Sequence, residues 1–232
     1  PVNLIFIIIL LTVMPSGSVA LENKSTTGAP LLSLDSSVYD FNPVLEGEKV
    51  THDFIIKNAG DALLQIYSVK TSCGCTAASY SKEIPPGGSG KISLSLNTKG
   101  YGGRSVNKTA RVETNDPRNM SVTLTLSGNV ERYAEIEPSG AMLAGSAGDD
   151  IRTEIRIIPN NRAPFRITGL KAKNGEYISF ELKEVETPGG VQYLLSVINL
   201  RKTAGKYNDR IHISTDSDLN PSITINVSGD IQ

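Results

Sequence analysis

The sequence predicts an all-β protein, two tandem β-sandwich domains behind a short apolar leader. Three observations predict it. Apolar and polar residues alternate nearly throughout, as at Ser121, Val122, Thr123, Leu124, Thr125 and Leu126. A strand with that pattern lays one face on a core and the other in water. The runs are short and separated by Asn58-Ala59-Gly60, Pro85-Pro86-Gly87-Gly88, Lys99-Gly100-Tyr101-Gly102-Gly103 and Asn115-Asp116-Pro117. These are residues that free φ, fix φ or bond their own backbone, and so turn a chain. Finally, the chain repeats itself at an offset of 101 residues, Val122 to Ile223 being one pair.

The repeat runs the length of both copies. Leu124 and Leu126 map to Ile225 and Val227, and Gly128 maps to Gly229. Phe54 and Ile56 map to Ile155 and Ile157, Leu64 and Ile66 to Phe165 and Ile167, and Ala110 and Val112 to Ile211 and Ile213. Pro86-Gly87-Gly88 reaches Pro188-Gly189-Gly190 only at an offset of 102, which places a one-residue insertion between them. From Tyr193 to Leu200 both parities carry apolar residues, so the register there stays open. About seven short strands in roughly 100 residues is the rhythm of an immunoglobulin-like sandwich. An antiparallel barrel shares the pattern. A repeat this long fits neither a solenoid nor a propeller blade.

The elements follow in order. Leu4 to Val13 is an apolar run, followed by Pro15, Gly17 and Ser18-Val19-Ala20. A short apolar core ending in small residues is a secretory signal peptide, and it is short for a bilayer span. An uncleaved membrane anchor is the alternative. The run lacks an initiator Met and a basic start, Lys24 being the first basic residue, which points to a lost chain start. No Cys follows it, so no lipoprotein anchor is indicated. Residues 1–20 are thus expected to be the leader and 21–31 a flexible lead-in. The first sandwich is expected over 32–131 and the second over 132–232. Each copy is long enough to bury its own core. A net charge of −1, without a long like-charge run, favours neither nucleic acid nor an anionic membrane surface. No stable membrane insertion is expected once the leader is cleaved.

Cys73 and Cys75, around Gly74, are the only cysteines, and the second copy carries Asn174-Gly175-Glu176 in their place. A copy that folds alike without them marks them as dispensable to the fold and available for chemistry. In an oxidising compartment two cysteines usually end as a disulfide. Residues two apart close only if the backbone bends, which Gly74 permits, and so small a ring is strained and easily reduced. Three readings stay open: a tight turn with inert sulfurs, a redox pair, and a metal site. Two thiolates suit Cu(I), whereas Zn takes four ligands. His52 is the candidate third ligand. It shares parity with Phe54 and Ile56 at the start of its strand, and the cysteines are expected at the end of the next one. His52 and His212 are the only histidines and neither lies in a nucleophile motif. Asp216 and Asp218 lack the ligand spacing of a calcium loop, which leaves a polar turn.

Several segments together carry a resemblance. Phe54-Ile55-Ile56-Lys57-Asn58-Ala59-Gly60, Leu64-Gln65-Ile66, Ser72-Cys73-Gly74-Cys75-Thr76, Ile84-Pro85-Pro86-Gly87-Gly88 and Thr114-Asn115-Asp116-Pro117 resemble the bacterial family called domain of unknown function fifteen seventy-three. The likeness covers about residues 36 to 130. It implies an immunoglobulin-like fold similar to major sperm protein and hydin-type domains, together with export; it implies no activity. The second copy shares only the strand pattern. The expected function is therefore a non-catalytic binding or structural protein, located in the periplasm, on the cell surface or outside the cell. Its partner is an unknown protein or a cell-envelope component, with no cofactor required. The alternative is thiol–disulfide exchange or metal handling through Cys73 and Cys75.

Overall fold

The computed structural model describes residues 28–72 and 75–232, with the backbone alone over 75–78. The expected leader, Cys73 and Gly74 lie outside the described residues. Among the described residues there are strands and turns and no helix. The strands are β1 (Leu32–Leu34), β2 (Val38–Leu45), β3 (Lys49–Asn58), β4 (Leu64–Thr71), β5 (Cys75–Tyr80), β6 (Glu83–Ile84), β7 (Ser89–Asn97), β8 (Arg104–Thr114) and β9 (Ser121–Glu131). After Arg132 and Tyr133 come β10 (Ala134–Glu137), β11 (Gly140–Gly145), β12 (Arg152–Pro159), β13 (Ile167–Ala172), β14 (Ile178–Thr187), β15 (Gly190–Asn199), β16 (Gly205–Thr215) and β17 (Ser222–Ile231).

They form two sandwiches whose strand order agrees except for the extra edge strand β6 in the first. The first packs sheet β1-β3-β7-β5 on sheet β2-β9-β8-β4-β6, and the second packs β10-β12-β15-β14 on β11-β17-β16-β13. All pairings are antiparallel except β2 with β9 and β11 with β17. This is the immunoglobulin-like arrangement, in which the first stretch of chain divides between the two sheets.

Alternation decides what lies between the sheets. Phe54, Ile56, Ile92, Leu94 and Leu96 meet Leu64, Ile66, Ala110, Val112, Leu124 and Leu126 in one core. Ile155, Ile157, Leu195 and Val197 meet Phe165, Ile211, Ile213, Ile225 and Val227 in the other. Each fully buried side chain of this size contributes about 1.5–3 kcal/mol. Even the irregularities repeat at the same offset. The β4–β8 ladder shifts register between Ile66 and Ser68, and the β13–β16 ladder between Ile167 and Gly169.

Two sequence ambiguities are resolved by packing. In β15 the inward parity is Tyr193, Leu195 and Val197; Leu194 and Ile198 are half-buried on the outer face between β12 and β14. The two Pro-Gly-Gly segments are not equivalent turns. In the first sandwich the chain leaves β5, crosses to the other sheet as β6 beside β4, and returns to β7. In the second, β14 runs straight into β15 as a hairpin. The one-residue difference in offset belongs to this change of path.

Candidate functional site

Most of the segments that carry the family resemblance hold the framework. Asn58 is 1% exposed. Its Oδ1 accepts from the Gly60 and Leu31 amides, and its Nδ2 donates to the Ala62 and Ile84 carbonyls. One side chain thereby ties β3 to the chain before β1 and to β6. A Cβ on Gly60 would overlap the Ala29 carbonyl, so glycine stands where two backbones touch. In Thr114-Asn115-Asp116-Pro117, Thr114 Oγ1 donates to the Asn119 carbonyl at 2.9 Å and Asn115 brackets Leu63 and Gln65. Asp116 is fully buried and accepts from the Leu32 amide at 2.8 Å, the Arg118 amide at 2.8 Å and Asn119 Nδ2 at 2.9 Å. Burial alone would raise the Asp116 pKa; the Asn119 amide and the backbone N–H donors outweigh it and hold the carboxyl low.

The second sandwich keeps part of this. Thr215 Oγ1 donates to the Asn220 carbonyl, and Asp216 Oδ1 accepts from the Arg166 amide at 2.6 Å. Asp216 is thus the polar turn expected from its sequence.

The cysteine motif sits elsewhere. It was expected to end the strand after β3, yet that strand, β4, stops at Thr71, and Cys75 is already the first residue of β5 on the other sheet, opposite Leu96. The described chain thus leaves one sheet by Ser72 and is in the other from Cys75. The Ser72 amide is bonded to the Thr109 carbonyl at 2.8 Å. Cys73 and the side chain of Cys75 lie outside the described residues, and with them the expected redox pair and metal site.

His52 is the fourth residue of β3 and faces inward, as its parity predicts. It lies opposite Leu94 of β7, which in turn lies opposite Ala77 of β5. His52 and Cys75 are therefore two strand spacings apart, about 9.5 Å, and two residues out of register. The His52 ring stacks on Tyr39 at 3.8 Å and meets Phe54 edge-on at 4.7 Å. Burial lowers its pKa, with the Asp53 charge acting the other way. Among the described residues no three His, Cys, Asp or Glu side chains converge as a metal site. His52 and His212 belong to different sandwiches.

A comparison of the two crossovers reveals a residue that the sequence reading missed. In the second sandwich Asp209 is buried, and its carboxylate accepts from the amides of Asn174 at 3.0 Å, Gly175 at 2.8 Å and Arg210 at 2.7 Å. Burial opposes its charge, but the Gly175, Asn174 and Arg210 amides more than offset that and keep its pKa low. That carboxylate fastens the loop which replaces the cysteine motif. At the same offset the first sandwich carries Lys108, inward and half-buried, its Nζ 4.7 Å from the centre of the Tyr101 ring. An ammonium donates and cannot accept, so Lys108 cannot fasten the first crossover in that way. The signal was an acid-for-base exchange between aligned copies.

Residues 32–130 match the sequence profile of the family described as protein of unknown function, DUF1573. That match spans the first sandwich. No curated protein matches the chain. Among solved structures it is similar to a protein of unknown function from Porphyromonas gingivalis W83, at 13% identity over 86% of this chain and 99% of that one, with a TM-score of 0.39. It is also similar to the ASH/PapD-like domain 7 of human CEP192, at 15% identity over 56% of this chain and 97% of that one, with a TM-score of 0.35. A third is DIP-gamma IG1+IG2, at 13% identity over 87% and 97%, with a TM-score of 0.31.

Cys73→Ser with Cys75→Ser is expected to leave the first sandwich folded and to change its stability by less than about 1 kcal/mol. Urea unfolding of the double variant beside wild type measures it. Loss of folding would make the pair structural.

Proposed function

We propose that the chain is an exported, non-catalytic interaction protein that binds a protein partner or another component of the cell envelope through strand edges and crossover loops. The observation that carries this reading is the use of the motif residues. Asn58, Thr114, Asn115 and Asp116 all spend their polar atoms holding the chain of the first sandwich in place. Polar residues committed in that way support a binding scaffold better than a reaction. An edge is at hand: among the described residues β6 pairs only with Leu64 and Gln65 of β4, the Ile66 amide bonds the Lys82 carbonyl, and next to it Tyr67 is 62% exposed at the bulge. A bulge blunts indiscriminate pairing, which leaves recognition to side chains. Export rests on Leu4 to Val13 followed by Ser18-Val19-Ala20.

Lys108 favours a second reading, thiol–disulfide exchange or metal handling at Cys73 and Cys75. It is next in sequence to Thr109, whose carbonyl takes the Ser72 amide, and a cation brought near a thiolate stabilises it.

Protein recovered outside the cytoplasm is expected to begin at Leu21. In the same cells a photoreactive residue at position 67 should give one discrete adduct, formed equally by the Cys73→Ser, Cys75→Ser chain. Recovery of an intact, membrane-held start overturns export. Absence of any adduct counts against the binding reading. Repeated turnover of a disulfide substrate by wild type, lost in the double variant, replaces it with thiol exchange.

A further inference from the structure

Two domains joined by two residues move relative to one another unless something holds them. Here the turn from β2 to β3 is built to hold them. Thr98 is fully buried; its hydroxyl donates to the Glu48 carbonyl at 2.6 Å and accepts from the Gly47 amide at 3.0 Å. Glu48 Oε2 accepts from the Leu45 amide at 2.9 Å, Glu46 Oε1 accepts from the Gly100 amide at 2.8 Å, and the Glu46 amide reaches the Glu131 carbonyl at 2.9 Å. The turn is therefore rigid within the first sandwich.

It is also seated in the second. The Glu46 carbonyl accepts from Nδ2 of Asn220, 2.8 Å away, and Asn220 is 6% exposed. A Cβ on Gly47 would lie 2.9 Å from the Leu219 carbonyl oxygen, so the two backbones touch. Around this contact Arg162 donates to the Pro43 carbonyl at 3.2 Å and pairs with Glu131 at 3.0 Å. Asn160 Nδ2 fixes the connecting residues through the Arg132 carbonyl at 2.9 Å, and Tyr133 packs on the second core beside Phe165.

The repeat supplies an internal control. Gly148 is the counterpart of Gly47, with φ of 100° against 99°. Asp149 accepts from the Ser146 amide as Glu48 does from Leu45. The same turn is built twice, yet no atom lies within 4 Å of a Cβ placed on Gly148. Both glycines serve a positive φ; only one also serves a contact.

We infer that the Leu45–Glu48 turn is a plug, seated on the Leu219–Asn220 segment, that locks the two sandwiches into one rigid unit. A partner contacting both sandwiches then meets a preset geometry, without the entropic cost of ordering two loosely tethered domains. The inference does not depend on which partner is bound.

Residual dipolar couplings measured on the two-sandwich chain test it. A single alignment tensor is expected to fit both sandwiches in wild type and in Gly148→Ala. In Gly47→Ala combined with Asn220→Ala the common tensor should be lost, while couplings within each sandwich still fit the native structure. Gly148→Ala carries the same φ strain, so the difference between the variants isolates the contact. Should the combined variant not fold, Asn220→Ala alone replaces it. Separate tensors in wild type, or a common tensor surviving removal of the contact, would overturn the inference.

Discussion

Asp116→Ala is expected to destabilise the first sandwich by about 3 kcal/mol, because buried donors left without an acceptor each cost about 1–3 kcal/mol. The Leu32 amide would lose its partner and release β1 from the edge of its sheet, and the Arg118 and Asn119 donors would lose theirs. Asp116→Asn keeps one acceptor oxygen but turns an NH2 group toward the remaining donors, so it should fall between the two. Urea unfolding followed by circular dichroism measures both. The carboxyl is held low by its donors against the effect of burial. A carboxyl depressed in the folded state contributes stability that is fully present above its unfolded pKa, near 3.9, and is lost as pH falls through the folded value. Wild type should therefore lose stability as pH drops below about 4, and part of that acid limb should be missing in Asp116→Ala. An unchanged acid limb would show that Asp116 is not the group that titrates.

Gly229→Ala is expected to cost the second sandwich about 3 kcal/mol or more, from overpacking a filled core. Its Cβ would overlap the Tyr207 ring. That ring is buried, and its hydroxyl donates to Asn199 Oδ1 at 2.7 Å, so it cannot yield without breaking a buried bond. The aligned Gly128→Ala adds backbone strain to ring overlap, because φ there is 158°. There the obstructing ring is Phe41, on the edge strand β2 and without a polar anchor. Val106 stands at the first-sandwich position of Tyr207. Tyr207→Val should therefore return part of the stability lost in Gly229→Ala, despite leaving Asn199 without the hydroxyl. No rescue would rule out ring overlap as the cause.

Those glycines show where sequence reading stops. Alignment identifies Gly128 with Gly229, yet the aromatic side chain that requires each comes from a different strand. The cysteine motif shows the same limit. Its absence from the second copy is plain in the sequence. That the chain changes sheets between Ser72 and Cys75, with Lys108 where Asp209 fastens the other loop, depends on which strands become neighbours. His52 was readable as inward-facing from its parity, but its neighbour Tyr39 was not.

By itself the sequence determined the strand class, the doubling of the domain, the inward residues of nearly every strand, and the sites of most turns. These are properties of adjacent residues: period 2 alternation decides which face is buried, and Gly, Pro, Asn and Asp act on their own backbone. Only the tertiary structure decided the parity of β15, the detour through β6, the framework roles of Asn58 and Asp116, and the seating of Glu46 on Asn220. Glu46 and Asn220 are 174 residues apart. Such a contact leaves no local pattern, because its partners are brought together only where one sandwich meets the other.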